Sequence, residues 1–249
     1  MTAVSAVGHG WTWNIGSAIG SAASVLLKHF VPFVVTALIA GFPNVVYWFL
    51  IGRGAALSYL TISGAVSLVI NTVGLIFVIQ TLTYGTVQAL RGRSVSIGDC
   101  LLQGARRLPV GIAVGFFAYI GIVLGTMLLV VPGIILFTMW AVALPANTVE
   151  RTGILASLAR SRELTRGRRW RVFGTIIVPV LISLVTSWLL IGIFGFGLRG
   201  MASPAFQIVS WVVHAVEQAF SVCVFATLYY YLRRDKEGVD IEQVASVFD

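Results

Sequence analysis

The chain has 249 residues, of which 58% are hydrophobic and only 10% charged, with a mean hydropathy of +0.94. A soluble domain carries about 45–50% apolar and about 25% charged residues, so this composition excludes one and places the chain in the membrane class. The formal charge of +8 comes from 17 Lys and Arg against 9 Asp and Glu; the basic residues cluster between apolar runs, which argues for orientation in a membrane and against nucleic acid as a partner.

No Lys or Arg precedes Lys28, so the N-terminus lacks the charged start of a signal peptide and is expected to stay in the mature protein. Asn14 to His29 is a short helix-compatible segment preceded by Trp11 and Trp13. It either lies on the membrane or packs beneath the bundle, and tryptophan favours the interface in both cases. Val31 to Ile51 reads as a first spanning helix, with a kink expected at Pro43 beside Asn44 because proline removes a backbone donor. Thr61 to Tyr84 is a second span and contains Asn71 and Gln80.

Ser96 to Arg107 is a second amphipathic segment. Ser96 caps it, Asp99 stands in its first turn, and Arg106 and Arg107 stand at its C-terminal end. Pro109 to Val131 is the third span, and Pro132-Gly133 predicts a break before a short fourth span from Ile134 to about Val149. Gly111, Gly115, Gly121 and Gly125 form two small-residue pairs that suit close helix packing within the chain or between copies. Ile154 to Arg171 is a third amphipathic segment, and Val172 to Phe196 and Phe206 to Leu232 complete six spans around a glycine-rich connection near Gly197 and Gly200. Each run of about 20 apolar residues is long enough to cross a hydrocarbon core of roughly 30 Å as a helix.

With the N-terminus in the cytoplasm, every Lys and Arg falls inside except Arg53 and Arg199, as the positive-inside rule requires. The expected fold is therefore an all-α, six-span bundle with three short amphipathic helices on the cytoplasmic side and both termini cytoplasmic. The order of short helix, basic boundary and pair of spans occurs three times, over about 12–90, 95–150 and 152–232, with a tail at 233–249.

Two groups of residues are candidates for function. Glu217 lies about 16 Å into the last span at 1.5 Å per residue, with His214 on the same face and Gln218 beside it. An ionisable group at that depth suggests a proton or cation relay, or a hydrogen bond to Asn71 or Gln80. Arg106, Arg107, Arg160, Arg162, Arg166, Arg168, Arg169 and Arg171 form the second group. They either fix topology alone or bind anionic lipid or a partner, at roughly 1 kcal/mol per basic side chain near the surface. No catalytic motif is present, one His and one Glu fall short of a metal site, and neither metal nor cofactor is expected. Cys100 and Cys223 read as packing thiols.

One block is recognisable: Pro132-Gly133-Ile134-Ile135-Leu136, Leu144-Pro145-Ala146, Glu150-Arg151-x-Gly153, then Ser157-Leu158-Ala159-Arg160-Ser161 through Trp170-Arg171 to Phe173-Gly174. With Ala89 to Asp99 and the tail from Tyr231 to Asp249, it resembles the YciC-like family of bacterial inner-membrane proteins. That family is similar to the membrane domain of some glycerophosphoryl diester phosphodiesterases. The resemblance implies a six-helix bacterial inner-membrane protein; no catalytic residue of the phosphodiesterases can be matched, and Glu217 and His214 stand outside the pattern. The leading expectation is a non-enzymatic accessory or scaffold protein in envelope organisation, meeting anionic lipid, a membrane partner or a second copy. The alternative is a small transporter or lipid-handling protein using the polar site around Glu217.

Overall fold

The computed structural model describes residues 13–50, 62–194 and 203–237. Trp11, Arg53, Arg199, Gly197, Gly200 and the tail from Gly238 lie outside them. The described residues form helices and no strand: α1 (Ile15–Lys28), α2 (Phe30–Leu50), α3 (Ile62–Leu90), α4 (Ile97–Leu128), α5 (Val130–Trp140), α6 (Ala143–Glu150), α7 (Ile154–Thr165), α8 (Arg169–Phe194) and α9 (Pro204–Glu237). Six stretches are long and apolar enough to cross a membrane, α5 and α6 together making one of them. The all-α bundle stands as expected, and the chain is a multi-pass membrane protein.

The helices start and stop for local reasons. Asn14 caps α1 by accepting from Ser17 N at 2.7 Å, while Ser17 Oγ accepts from Asn14 N at 3.1 Å, so two orphan donors are satisfied reciprocally. Pro43 sits inside α2, which continues through it to Leu50. The segment expected as a second separate surface helix is instead the start of α4: Ser96 caps it, and the helix runs on through Pro109 into the span. The break before the fourth span falls at Leu129, three residues before Pro132. Leu129 is extended, with φ −162° and ψ 148°, and Pro132 occupies the first turn of α5, where a helix needs no N–H from it.

The core is concentrated at the end of the bundle that carries the arginines, here called the basic end. Helix α9 runs through it, joining one cluster with Trp13, Val142, Leu164 and Ile176 to another with Phe33, Leu82 and Val25. Helix α1 does not lie free on a surface. Trp13, just before its Asn14 cap, is 2% exposed and packs on Tyr231, Ser21 Oγ bonds Tyr231 Oη at 2.6 Å, and Arg171 donates to the Trp13 carbonyl at 3.3 Å. Toward the other end the helices turn large apolar side chains such as Phe116, Leu128, Val185 and Trp188 outward, which suits hydrocarbon as the surrounding solvent.

The glycine pairs act within the chain, each on a different neighbour. A Cβ on Gly111 would run into Gln80 of α3 and one on Gly115 would lie 3.3 Å from Ile76 Cδ1 of the same helix, while one on Gly121 or Gly125 would run into Trp140 or Leu136 of α5. Small residues let helix backbones approach in a medium that offers little hydrophobic drive between them.

Candidate functional site

The fourth span is interrupted at Ala141-Val142, between α5 and α6. A broken helix inside a bundle leaves backbone groups that protein must satisfy, and α7 supplies the partners. Ser161 Oγ accepts from Val142 N at 3.3 Å and donates to the Met139 carbonyl at 2.8 Å; Thr165 Oγ1 reaches the same carbonyl at 3.4 Å. One turn toward the start of α7, Ser157 Oγ bonds Thr152 Oγ1 at 2.8 Å, and Asn147 Nδ2 donates to the Thr152 carbonyl at 2.8 Å. That clip holds a tight turn in which Arg151 has a left-handed φ of 54°, a conformation that side chains other than glycine adopt at a cost. Ser157, Ser161 and Thr165, spaced by four, are all buried, Ser161 and Thr165 against the break and Ser157 against the turn that follows α6. The third amphipathic segment ends at Thr165 as a helix, and Gly167 with φ +83° turns the chain into α8.

A charge network ties α7 to the end of α9. Arg160 Nε donates to both oxygens of Glu150 at 2.9 Å and Nη1 to Glu163 at 3.1 Å, while Nη2 meets Glu237. Tyr229 Oη donates to Glu150 Oε1 at 2.8 Å, Arg233 Nε to Glu237 Oε2 at 2.8 Å, and Arg168 Nε to Asp235 Oδ2 at 2.9 Å. Burial by itself lowers the Arg160 pKa, yet the hydrogen bonds and charges of Glu150 and Glu163 outweigh it and hold the guanidinium above its ordinary value. Arg168 is raised by its bond to Asp235.

This divides the predicted basic surface. Arg160 and Arg168 are tied to carboxylates, and Arg171 to the Trp13 carbonyl. Arg106, Arg162 and Arg166 are exposed and carry no ion pair among the described residues; Arg107 and Arg169 are partly buried at the same end. Trp170, between Arg169 and Arg171, is 86% exposed.

Of the predicted intramembrane group, the structure joins two. His214 Nδ1 lies 2.9 Å from Glu217 Oε2, the histidine 50% and the glutamate 12% exposed. Glu217 Oε1 is buried without a hydrogen-bond partner. Gln218, on the same helix, is half-buried, and Asn71 is exposed. Gln80 turns elsewhere: fully buried, it donates Nε2 to the Arg107 carbonyl at 2.9 Å. Cys100 and Cys223 are both buried and free. No three His, Cys, Asp or Glu converge among the described residues.

Sequence reading missed Glu150, Tyr229, Glu237 and the hydroxyl row of α7 as a site. Glu150 alone gave a signal, because it is the first charge after the uncharged stretch from Leu108 to Val149. Compared with known proteins, residues 1–232 match the family described as "Domain of unknown function (DUF7847)". No curated protein and no solved structure matches.

Proposed function

We propose a role for a chain that belongs to the DUF7847 family of domains of unknown function: a non-enzymatic inner-membrane protein, accessory or scaffold in envelope organisation, whose basic end faces the cytoplasm and holds anionic lipid or a membrane partner. The observation that carries this reading is the division of the arginines. Those that hold the fold together are paired, while Arg106, Arg162 and Arg166 stand exposed at the same end without an ion pair among the described residues. Orientation alone does not call for that surplus. Exposed Trp170 among the arginines supports an interfacial level for this end, since tryptophan is enriched at headgroup depth. The likeness of the central block to the YciC-like family belongs to the same proposal and supplies its bacterial inner-membrane setting.

The test is native mass spectrometry of the full protein extracted with its surrounding membrane, comparing wild type with Arg106→Gln/Arg162→Gln/Arg166→Gln. Wild type should carry anionic lipid in excess over the bulk membrane, and the triple variant should lose several-fold of that excess, since each basic group near the surface contributes roughly 1 kcal/mol. A bulk-like lipid shell with no protein partner in either sample sinks the reading.

The His214–Glu217 pair favours a second reading, a small transporter or lipid-handling protein. Glu217 keeps one buried carboxylate oxygen without a partner, and ionisable groups inside spans commonly mark ion or substrate paths. Glu217→Gln in proteoliposomes should then abolish a proton or cation flux seen with wild type. A wild-type flux indistinguishable from empty liposomes removes this alternative.

A further inference from the structure

The first half of α9 is exposed on two opposite sides, and the two sides differ in chemistry. Ile208, Val209 and Val212 are 46%, 38% and 42% exposed, an apolar face that suits lipid. At about 100° per residue, the other side collects Gln207, Ser210, His214, Glu217 and Ser221 within a quarter-turn. That polar face is flanked by Phe206, whose ring centre lies 5.6 Å from that of Phe194 on α8, and by Trp211, 6.0 Å from Phe42 on α2. It therefore looks into the gap between α2 and α8. Helix α8 adds Ser183 and Ser187 on the face of its buried Pro179 and Leu190. Ser210 Oγ, Trp211 Nε1 and Glu217 Oε1 are buried here with no hydrogen-bond partner among the described residues, whereas buried polar groups ordinarily bond protein or water. His214 marks the opening: it is 50% exposed, while Ser210 and Glu217 behind it are 8% and 12% exposed. Past Glu217, toward the basic end, α9 is closed in, and Ala219, Val222, Cys223 and Val224 are all buried.

We infer that a hydrated cleft between α2, α8 and α9, entered from the end of the bundle opposite the arginines, brings small cations to Glu217. Water supplies the donors and acceptors that the three unpartnered atoms lack. The Glu217 carboxylate and the serine hydroxyls are hard oxygens, which suit a small inorganic cation rather than an anion or an apolar ligand. Entry is from the far end because the buried residues beyond Glu217 shut the other. The inference deepens the transport reading above and rests on it, naming the class of substrate and the side from which it enters.

The experiment places single cysteines in the full protein, held in phosphatidylcholine nanodiscs so that both aqueous ends are open to reagent and lipid shields the sides. Wild type sets the background, since Cys100 and Cys223 are buried. A thiol reacts as its thiolate, which forms in water and not in hydrocarbon. His214→Cys should therefore react with a membrane-impermeant cationic methanethiosulfonate about tenfold or more faster than Val212→Cys. Val212 lies two residues away and is comparably exposed, so exposure alone predicts similar rates. Measured against a free thiol, the cationic reagent should be favoured over its anionic analogue about fivefold, the scale of one unit charge at close range in water. Glu217→Gln should remove that preference. Ser210→Cys is the independent reporter if His214→Cys fails to fold. Equal rates at positions His214 and Val212, or no reaction at either, overturn the cleft. A disulfide between copies of His214→Cys also overturns it and assigns the face to a second copy. Reaction without a charge preference, or with one that survives Glu217→Gln, overturns the cation. The transport reading fails separately: a reactive cleft without wild-type flux ends that reading and leaves a hydrated cation site, whereas a Glu217-dependent flux past unreactive thiols keeps it and ends the cleft.

Discussion

Replacing Gly111 by leucine is expected to prise α4 from α3 and cost on the order of 3 kcal/mol. A Cβ at Gly111 already overlaps Gln80 Nε2, comes within 2.8 Å of its Cδ, and lies 3.1 Å from Ile76 Cγ2. Gln80 has nowhere to retreat, being fully buried with Nε2 bonded to the Arg107 carbonyl at 2.9 Å. The leucine therefore adds bulk to a filled contact and strands a buried amide. Both costs fall on the folded state, because separated helices still shelter their own backbone bonds in lipid or detergent. Unfolding in mixed detergent and dodecyl sulfate micelles, followed by circular dichroism, measures the loss. Gly20→Ala is the control: a Cβ there meets nothing within 4 Å, and alanine is the better helix former. Equal midpoints for Gly111→Leu and wild type would contradict the close crossing of α3 and α4.

Removing the Glu150 carboxylate is the second large effect. Glu150→Ala takes two acceptors from Arg160 and one from the Tyr229 hydroxyl. Arg160 and Glu150 have side chains 19% and 15% exposed, so the pair belongs between the surface and fully buried regimes, and a loss of about 2 kcal/mol is expected. A double-mutant cycle with Arg160→Met discriminates between contact and general damage. With the arginine already gone, Glu150→Ala should cost markedly less, since its largest partner is absent. Additive losses would mean that the two groups do not interact in the folded protein. The same cycle run with Tyr229→Phe separates the hydroxyl's share from the guanidinium's.

The two regions differ in how far the sequence announced them. The six spans were legible because hydrocarbon imposes both length and composition on a crossing helix, and a run such as Val172 to Phe194 satisfies both without reference to any neighbour. His214 and Glu217 were legible as a pair for a similar reason: they share one helix at a spacing of three, so the helix geometry alone brings them together. Gln80 and Asn71 were not, because their partners depend on how α3 rotates against α4 and α9, and no periodicity encodes that rotation. The ends of elements also escaped. Pro132-Gly133 read as a break, yet a proline in a first turn suits a helix start, so the chain turns at Leu129 instead. Pro109 read as the beginning of a span, and the helix had begun twelve residues earlier at Ile97, after the Ser96 cap. The network of Glu150, Arg160, Tyr229 and Glu237 joins residues up to 79 positions apart, and only the packing of α6, α7 and α9 assembles it.

The hairpin of α4 and α5 bears on how the protein is made. Its two arms are joined through the single extended residue Leu129, and no charged side chain occurs between Arg107 and Glu150. A charge carried to the centre of a bilayer adds roughly 2.5–3.5 kcal/mol to the cost of insertion, and this pair carries none. The pair can enter a bilayer as one closed unit, both arms together, with Arg106 and Arg107 on one flank and Arg151 on the other.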